Sequence, residues 1–224
     1  MAMYALAVKP LIGKLKSDVS RVKPVWYADD ATGAGTCDDL RMFWDSLLVH
    51  DAGYGYHPNA TKTHLVVKAE HADKVFAGIG FNVTTEDKRH LGATIGSRSY
   101  TEEYVAGKVG EWSTGIKQLA IIAQTQPHTA YCTYTHGLSS RWTFLFRTIP
   151  DIADLLLPLE ETIQQHPLTG RPPCSREERD LLALPVRLGS MGLINPVSTA
   201  QHALEASVKL TSPLVATIAT QDLD

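Results

Sequence analysis

The apolar residues of this chain change their period near residue 100, and that change limits what it can fold into. Before it, apolar runs are short and are cut by glycine, proline and aspartate, the pattern of short strands and short helices. After it, "EEYVAGKVGEWSTGIKQLAIIAQ" and, beyond Pro127, "HTAYCTYTHGLSSRWTFLFRTI" keep helical spacing throughout. The order predicts an α+β unit to about residue 100, followed by an all-helical one.

Within the first stretch, residues 1–16 read as a helix disturbed by Pro10, and Lys23 to Ala28 as a strand. "DDATGAG" is turn-like and predicts a hairpin with aspartates at its tip. Asp38 and Asp39 open a helix over "LRMFWDSLLVH". "GYGYHPNATKT" reads as a loop, "HLVVK" as a strand, and "AEHADKVFAGIG" as a short helix closed by Gly80. "FNVTTEDKRHLGATIG" reads as two strands around a polar turn. Further on, Pro150-Asp151 opens a helix with a cap-like aspartate, and "QHPLTGRPPCSREE" is a linker. "LPVRLGSMGLINP" is an irregular apolar loop, and the tail from Val197 is helical.

Composition excludes several classes. With 44% apolar and 20% charged residues the chain is not a disordered one. A net charge of -3 argues against a wholly basic nucleic-acid binder, yet a basic middle between acidic flanks leaves room for a phosphate-binding face. Cys37, Cys132 and Cys174 have neither zinc nor disulfide spacing, which predicts an intracellular, reducing setting. "MAMYALAVKPLIGKLK" lacks the basic lead of a signal peptide and is too short to span a membrane. Starting inside an amphipathic helix, the sequence reads as a piece of a longer one.

The adjacent carboxylates Asp29 and Asp30 repel, so a bound cation, a tight turn or solvation must compensate. Two carboxylates on a hairpin tip suit Mg²⁺, which takes hard oxygen ligands and substrate phosphates; aspartates are also common in plain turns. Trp112, Trp142, Phe144 and Phe146 are expected to build a helical core rather than to stack on bases. Lys108, Lys117, Arg141 and Arg147 either touch phosphates or form a solvated face. His50, His57, His64 and His71 recur every seven residues, but Gly53, Gly55 and Pro58 break any helix that would align them.

"YADD", Tyr27 to Asp30, resembles the catalytic box of reverse transcriptases, the hairpin of the polymerase palm. "MAMYALAVKPLI" looks like the end of the preceding palm helix. "GYHPNATKTHLVV", with Asn59, Lys62 and Thr63, is similar to the next palm motif, and "HLGATIGS" is similar to the Leu-Gly primer grip. The region after residue 100, ending in "LPVRLGSMGLINP", looks like the thumb of a retroelement polymerase, of non-LTR or related type. The resemblance implies a partial palm over 1–100, a helical thumb-like region over 101–166, and a linker with a helical tail over 167–224.

It also implies roles. Asp29 is the principal ligand of Mg²⁺ or Mn²⁺, and Asp30 assists it. Tyr27 and Ala28 lie beside the primer end. Lys62 serves the departing pyrophosphate, or is a solvated loop lysine. Leu91 and Gly92 shape the primer grip, or are a strand residue and a turn glycine. The implied partners are an RNA template, a DNA primer and deoxynucleotides, with no membrane. The family's other aspartate and its fingers match nothing in these residues, and Asp18 sits in no matching motif. A weakly held metal and an inactive fragment are therefore expected; the alternative is a non-catalytic retroelement remnant that at most binds nucleic acid.

Overall fold

Mostly helix, with three two-stranded sheets among the described residues, the chain divides into two units, residues 1–87 with 212–224 and residues 88–211. The computed structural model describes residues 2–27, 30–71, 78–85, 87–170 and 173–221.

In the first unit, helix α1 (Ala2–Asp18) runs through Pro10. Val8, Leu11 and Leu15 fall on one face and are buried against Trp44 and Leu47 of α2 (Cys37–His50). Trp26 packs on the same cluster from strand β1 (Lys23–Tyr27), and Phe81 meets Trp44 edge-on, ring centres 4.6 Å apart. β1 pairs antiparallel with β2 (Asp30–Ala34), Tyr27 opposite Asp30, as the hairpin reading expects. Thr36 caps α2, its hydroxyl accepting from Asp39 N, and Asp38 and Asp39 fill the first turn.

The Asp18 carboxylate ties the two helices together. It accepts from Ser46 Oγ at 2.9 Å and meets His50 Nε2 at 3.1 Å and Lys14 Nζ at 3.1 Å. The Ser46 hydrogen bond, then that from Lys14, holds this carboxyl below its ordinary value. Its stabilising contribution is present above the unfolded value and is lost as pH falls through the folded one. Strands β3 (His64–Val66) and β4 (Asn82–Thr84) pair in parallel. Half of the expected helix between them, residues 72–77, lies outside the described residues; Ala69–His71 form one 3₁₀ turn.

The second unit opens with the antiparallel pair β5 (Lys88–His90) and β6 (Ala93–Ile95). "FNVTTEDKRHLGATIG" thus holds three strands rather than two, because a turn at Leu91-Gly92 separates β5 from β6. Helix α3 (Arg98–Ala123) is capped by Ser97 and buries Val105, Val109, Trp112, Ile116 and Leu119 along one stripe. α4 (Pro127–Thr133) leads through a π turn, Tyr134–Leu138, into α5 (Ser139–Thr148), which buries Trp142, Leu145 and Phe146. Asp151 does not cap the next helix: it sits at φ 54°, its carbonyl takes a hydrogen bond from Arg98, and a 3₁₀ turn precedes α6 (Leu157–Gln165).

The expected linker is largely built into the unit. Leu168 is buried, and Gly170, at φ 68°, approaches Ala123 O so closely that a Cβ would stand 2.6 Å from it. Ser175 and Glu178 then form a reciprocal capping box that starts α7 (Arg176–Ala183). After the loop comes α8 (Pro196–Thr220). Among the described residues no helix is long and apolar enough to cross a membrane.

Arg179 of α7 organises that loop. Only 3% exposed, it pairs with Glu160 at 2.7 Å and donates to Leu193 O at 2.5 Å and Ile194 O at 3.1 Å. Burial pushes the Glu160 carboxyl up, against the pull of the guanidinium. Removing one partner of such a pair leaves a buried charge and two bare carbonyls. Arg179→Met is expected to destabilise this unit by about 3–5 kcal/mol, whereas Lys14→Ala, at the exposed α1 pair, costs at most about 1 kcal/mol. Urea denaturation of both variants checks the contrast, and a small loss for Arg179→Met contradicts it.

Candidate functional site

Apart from Lys62, the expected site residues belong to the chain around two short hairpins, one in each unit. In the first, strand-favouring Val25, Trp26 and Tyr27 form β1, and the pairing of Tyr27 with Asp30 leaves only residues 28 and 29 between the strands. Ala28 and Asp29 lie outside the described residues. Tyr27 is 59% exposed, and Asp30 is exposed with no cation partner among the described residues. Its oxygens are of the hard type that suits Mg²⁺.

Lys62 ends a 3₁₀ turn, Ala60–Lys62, whose cap is the Asn59 side chain accepting from Lys62 N at 3.3 Å. Thr61 Oγ donates to Asn59 Oδ1 at 2.8 Å, and Asn82 Nδ2 donates to Thr61 O at 2.6 Å, which fastens the turn to the start of β4. Lys62 itself is exposed. No ion pair joins it to Asp30, and no group of three or more metal-ligating side chains occurs among the described residues. His50 pairs with Asp18 and His71 with Glu70.

In the second unit, His90 pairs with Ala93, so Leu91 and Gly92 are the whole turn of the β5–β6 hairpin. Their φ values are 47° and 88°, and positive φ at both central residues is the requirement of a type I′ turn. Gly92 meets that at no steric cost. Leu91 does not, and its side chain is 50% exposed, so burial offsets only part of the strain. Tyr104 Oη donates to Gly92 O at 3.0 Å, and a Cβ at Gly92 would stand 3.0 Å from Phe144 Cε1. The turn is thus pinned by one residue of α3 and one of α5.

Beside this turn lies an open cavity of about 250 Å³. Tyr104, Lys108 and Glu111 reach it from one stripe of α3, and Arg141 and Phe144, three apart, from one face of α5. Arg89 of β5 closes the rim, its guanidinium carbon 5.9 Å from the Tyr104 ring centre. The lining carries three cations and one carboxylate; Glu111 holds Lys108 at 2.8 Å, while Arg141 pairs with no carboxylate among the described residues.

Sequence reasoning singled out Lys108 and Arg141 as candidates for phosphate but missed Arg89 and Tyr104. It also placed Phe144 in the core. Trp112, Trp142 and Phe146 are core residues; Phe144 is 43% exposed. Its position was readable, because Trp142, Leu145 and Phe146 take one face of α5 and residue 144 falls opposite. Lys117 and Arg147 are exposed and do not line the cavity. Compared with protein-family models, curated proteins and solved structures, the chain finds no match.

The strained turn makes a direct prediction. Leu91→Asn places a residue that tolerates positive φ at that position, and is expected to stabilise the chain by about 1 kcal/mol. Gly92→Ala, facing Phe144 at φ 88°, is expected to cost about 1–2 kcal/mol. Paired denaturation curves check both signs; destabilisation by Leu91→Asn would mean that the leucine side chain stabilises the fold more than its backbone strains it.

Proposed function

We propose that the chain is the palm and thumb portion of an RNA-directed DNA polymerase of a retroelement, a nucleotidyltransferase. The observation that carries this reading is the Tyr27–Asp30 register: an antiparallel hairpin at the "YADD" box, with the exposed Asp30 carboxylate, which has no cation partner among the described residues, in its last pair. The Leu91-Gly92 hairpin supports it independently, since "HLGATIGS" resembles a primer grip and forms an exposed, pinned turn.

In this reading Asp29 and Asp30 hold Mg²⁺ or Mn²⁺. Such ions, when bound, stabilise charge on the oxygens of a transferred phosphoryl group. Tyr27 and Ala28 lie beside the primer end on an RNA template. Lys62, at the end of its capped turn, neutralises the departing pyrophosphate of the deoxynucleotide. Leu91 and Gly92 bear on the primer, and the strain at Leu91 holds an apolar side chain out where a partner meets it.

These 224 residues alone are proposed to be inactive. Two adjacent carboxylates make an incomplete clamp, and groups that position a nucleotide are worth roughly 7–11 kcal/mol when present. The alternative is a non-catalytic retroelement remnant that at most binds nucleic acid. Primer extension on an RNA template with Mg²⁺ is expected to give no product. Calorimetry with Mn²⁺ is expected to show one weak site, on the order of millimolar, that disappears in the Asp29→Asn/Asp30→Asn double variant. Binding that survives the double substitution places the metal elsewhere and overturns the assignment of the box.

A further inference from the structure

The cavity beside the Leu91-Gly92 turn mixes two chemistries that each need a ligand. Arg89, Lys108 and Arg141 present positive charge, and among the described residues only Lys108 is held by a carboxylate. Phe144 presents an aromatic ring that is substantially exposed, on the helix face opposite the core. A cationic groove with an exposed ring is how proteins take single-stranded nucleic acid, the backbone on the cations and a base on the ring. The volume, about 250 Å³, lies below the range of most ligand clefts, which limits an occupant to a small unit.

We propose that this cavity seats one unpaired nucleotide of a single strand, its phosphate among Arg89, Lys108 and Arg141 and its base against Phe144. The proposal deepens the nucleic-acid reading above and rests on it. A paired base keeps its faces inside the duplex stack and has none to offer Phe144, so the site selects single strand over duplex. Arg89 is set for phosphate by its placement over Tyr104, which orients the guanidinium without consuming a hydrogen-bond donor. Tyr104 also pins Gly92 O, so the cavity wall and the hairpin turn are held by one side chain.

The test is fluorescence anisotropy with the full 224-residue chain and three labelled oligonucleotides of equal length: a single strand, a blunt duplex, and a strand of abasic residues. The single strand is expected to bind more tightly than the abasic strand by about 5- to 150-fold, the worth of one stacked base. Phe144→Leu is expected to remove that advantage and to leave duplex affinity unchanged. Arg141→Gln is expected to lower the slope of log affinity against log salt by about 0.7 for the single strand, the change that follows when one phosphate is no longer neutralised. The abasic comparison uses the unaltered chain and so reports even where a variant fails to fold. Equal binding of the single and abasic strands, or a salt slope unmoved by Arg141→Gln, overturns the proposal while the polymerase reading stands on its duplex binding. Failure of all three oligonucleotides to bind overturns both.

Discussion

The second unit is organised around Trp142. Its side chain is fully buried, edge-on to Trp112 at 5.7 Å and to Tyr134 at 5.6 Å between ring centres. That three-ring contact joins α3, the π turn and α5. Fully burying rings of this size outweighs most single contacts in a domain. It also carries a cost, because Trp142 Nε1 and the Tyr134 hydroxyl have no hydrogen-bond partner among the described residues. Each such group costs about 1–3 kcal/mol, and burial accordingly pushes the Tyr134 phenol up from its ordinary value. The packing must exceed that cost for the arrangement to persist, so the rings are the constraint and the surrounding helices adapt to it.

The π turn is one such adaptation. Tyr134 and Trp142 are eight residues apart, and in an uninterrupted α-helix that spacing leaves them about 80° out of phase. A π turn over Tyr134–Leu138 winds more residues into its turn and reduces the mismatch, so both rings reach the core. Thr135 Oγ, bonded to Tyr131 O, and Ser139 Oγ, bonded to Thr135 O, supply side-chain partners for carbonyls around the irregular turn. Once Trp142 is fixed inward, the helical period fixes Leu145 and Phe146 beside it and turns Arg141 and Phe144 outward. The cation and the exposed ring of the cavity are therefore consequences of where the core tryptophan points.

Much of this was legible in the sequence, and the misses have physical causes. The apolar faces of α1, α2 and α3, the β1–β2 reversal and the change of period near residue 100 all follow from spacing, and spacing is a strong signal when runs are long. Of the β5–β6 turn only Gly92 was legible, as a turn glycine, because Leu91 beside it reads as a strand residue. The usual signals for a two-residue hairpin are Asn-Gly, Asp-Gly or Gly-Gly, and leucine at positive φ is opposed by local sterics. Tertiary contacts from Tyr104 and Phe144 pin the turn there, and no local propensity records them. Asp151 looked like a cap from its place after proline, yet a residue at φ 54° cannot be in the extended conformation of an N-cap. Ser175 and Glu178 did carry the spacing of a capping box, obscured by the prolines and glycine before them.

The two hairpins make the same demand on register: a slip of one residue would exchange the faces of every side chain on the strand. At β1–β2 the register puts Trp26 on the core cluster and leaves Tyr27 and Asp30 exposed as the last pair before residues 28 and 29. At β5–β6 the register puts Arg89 over Tyr104 and Leu91 out at the turn. A chain selected only for stability would replace Leu91 by asparagine or glycine, since either relieves the backbone at that φ. Keeping a half-exposed leucine there is a local conflict with the fold's own preferences, and such conflicts concentrate where a surface serves something other than folding. The strain sits on the tip that Tyr104 and Phe144 hold beside the cationic cavity, and the physical case for function in this unit rests on that coincidence.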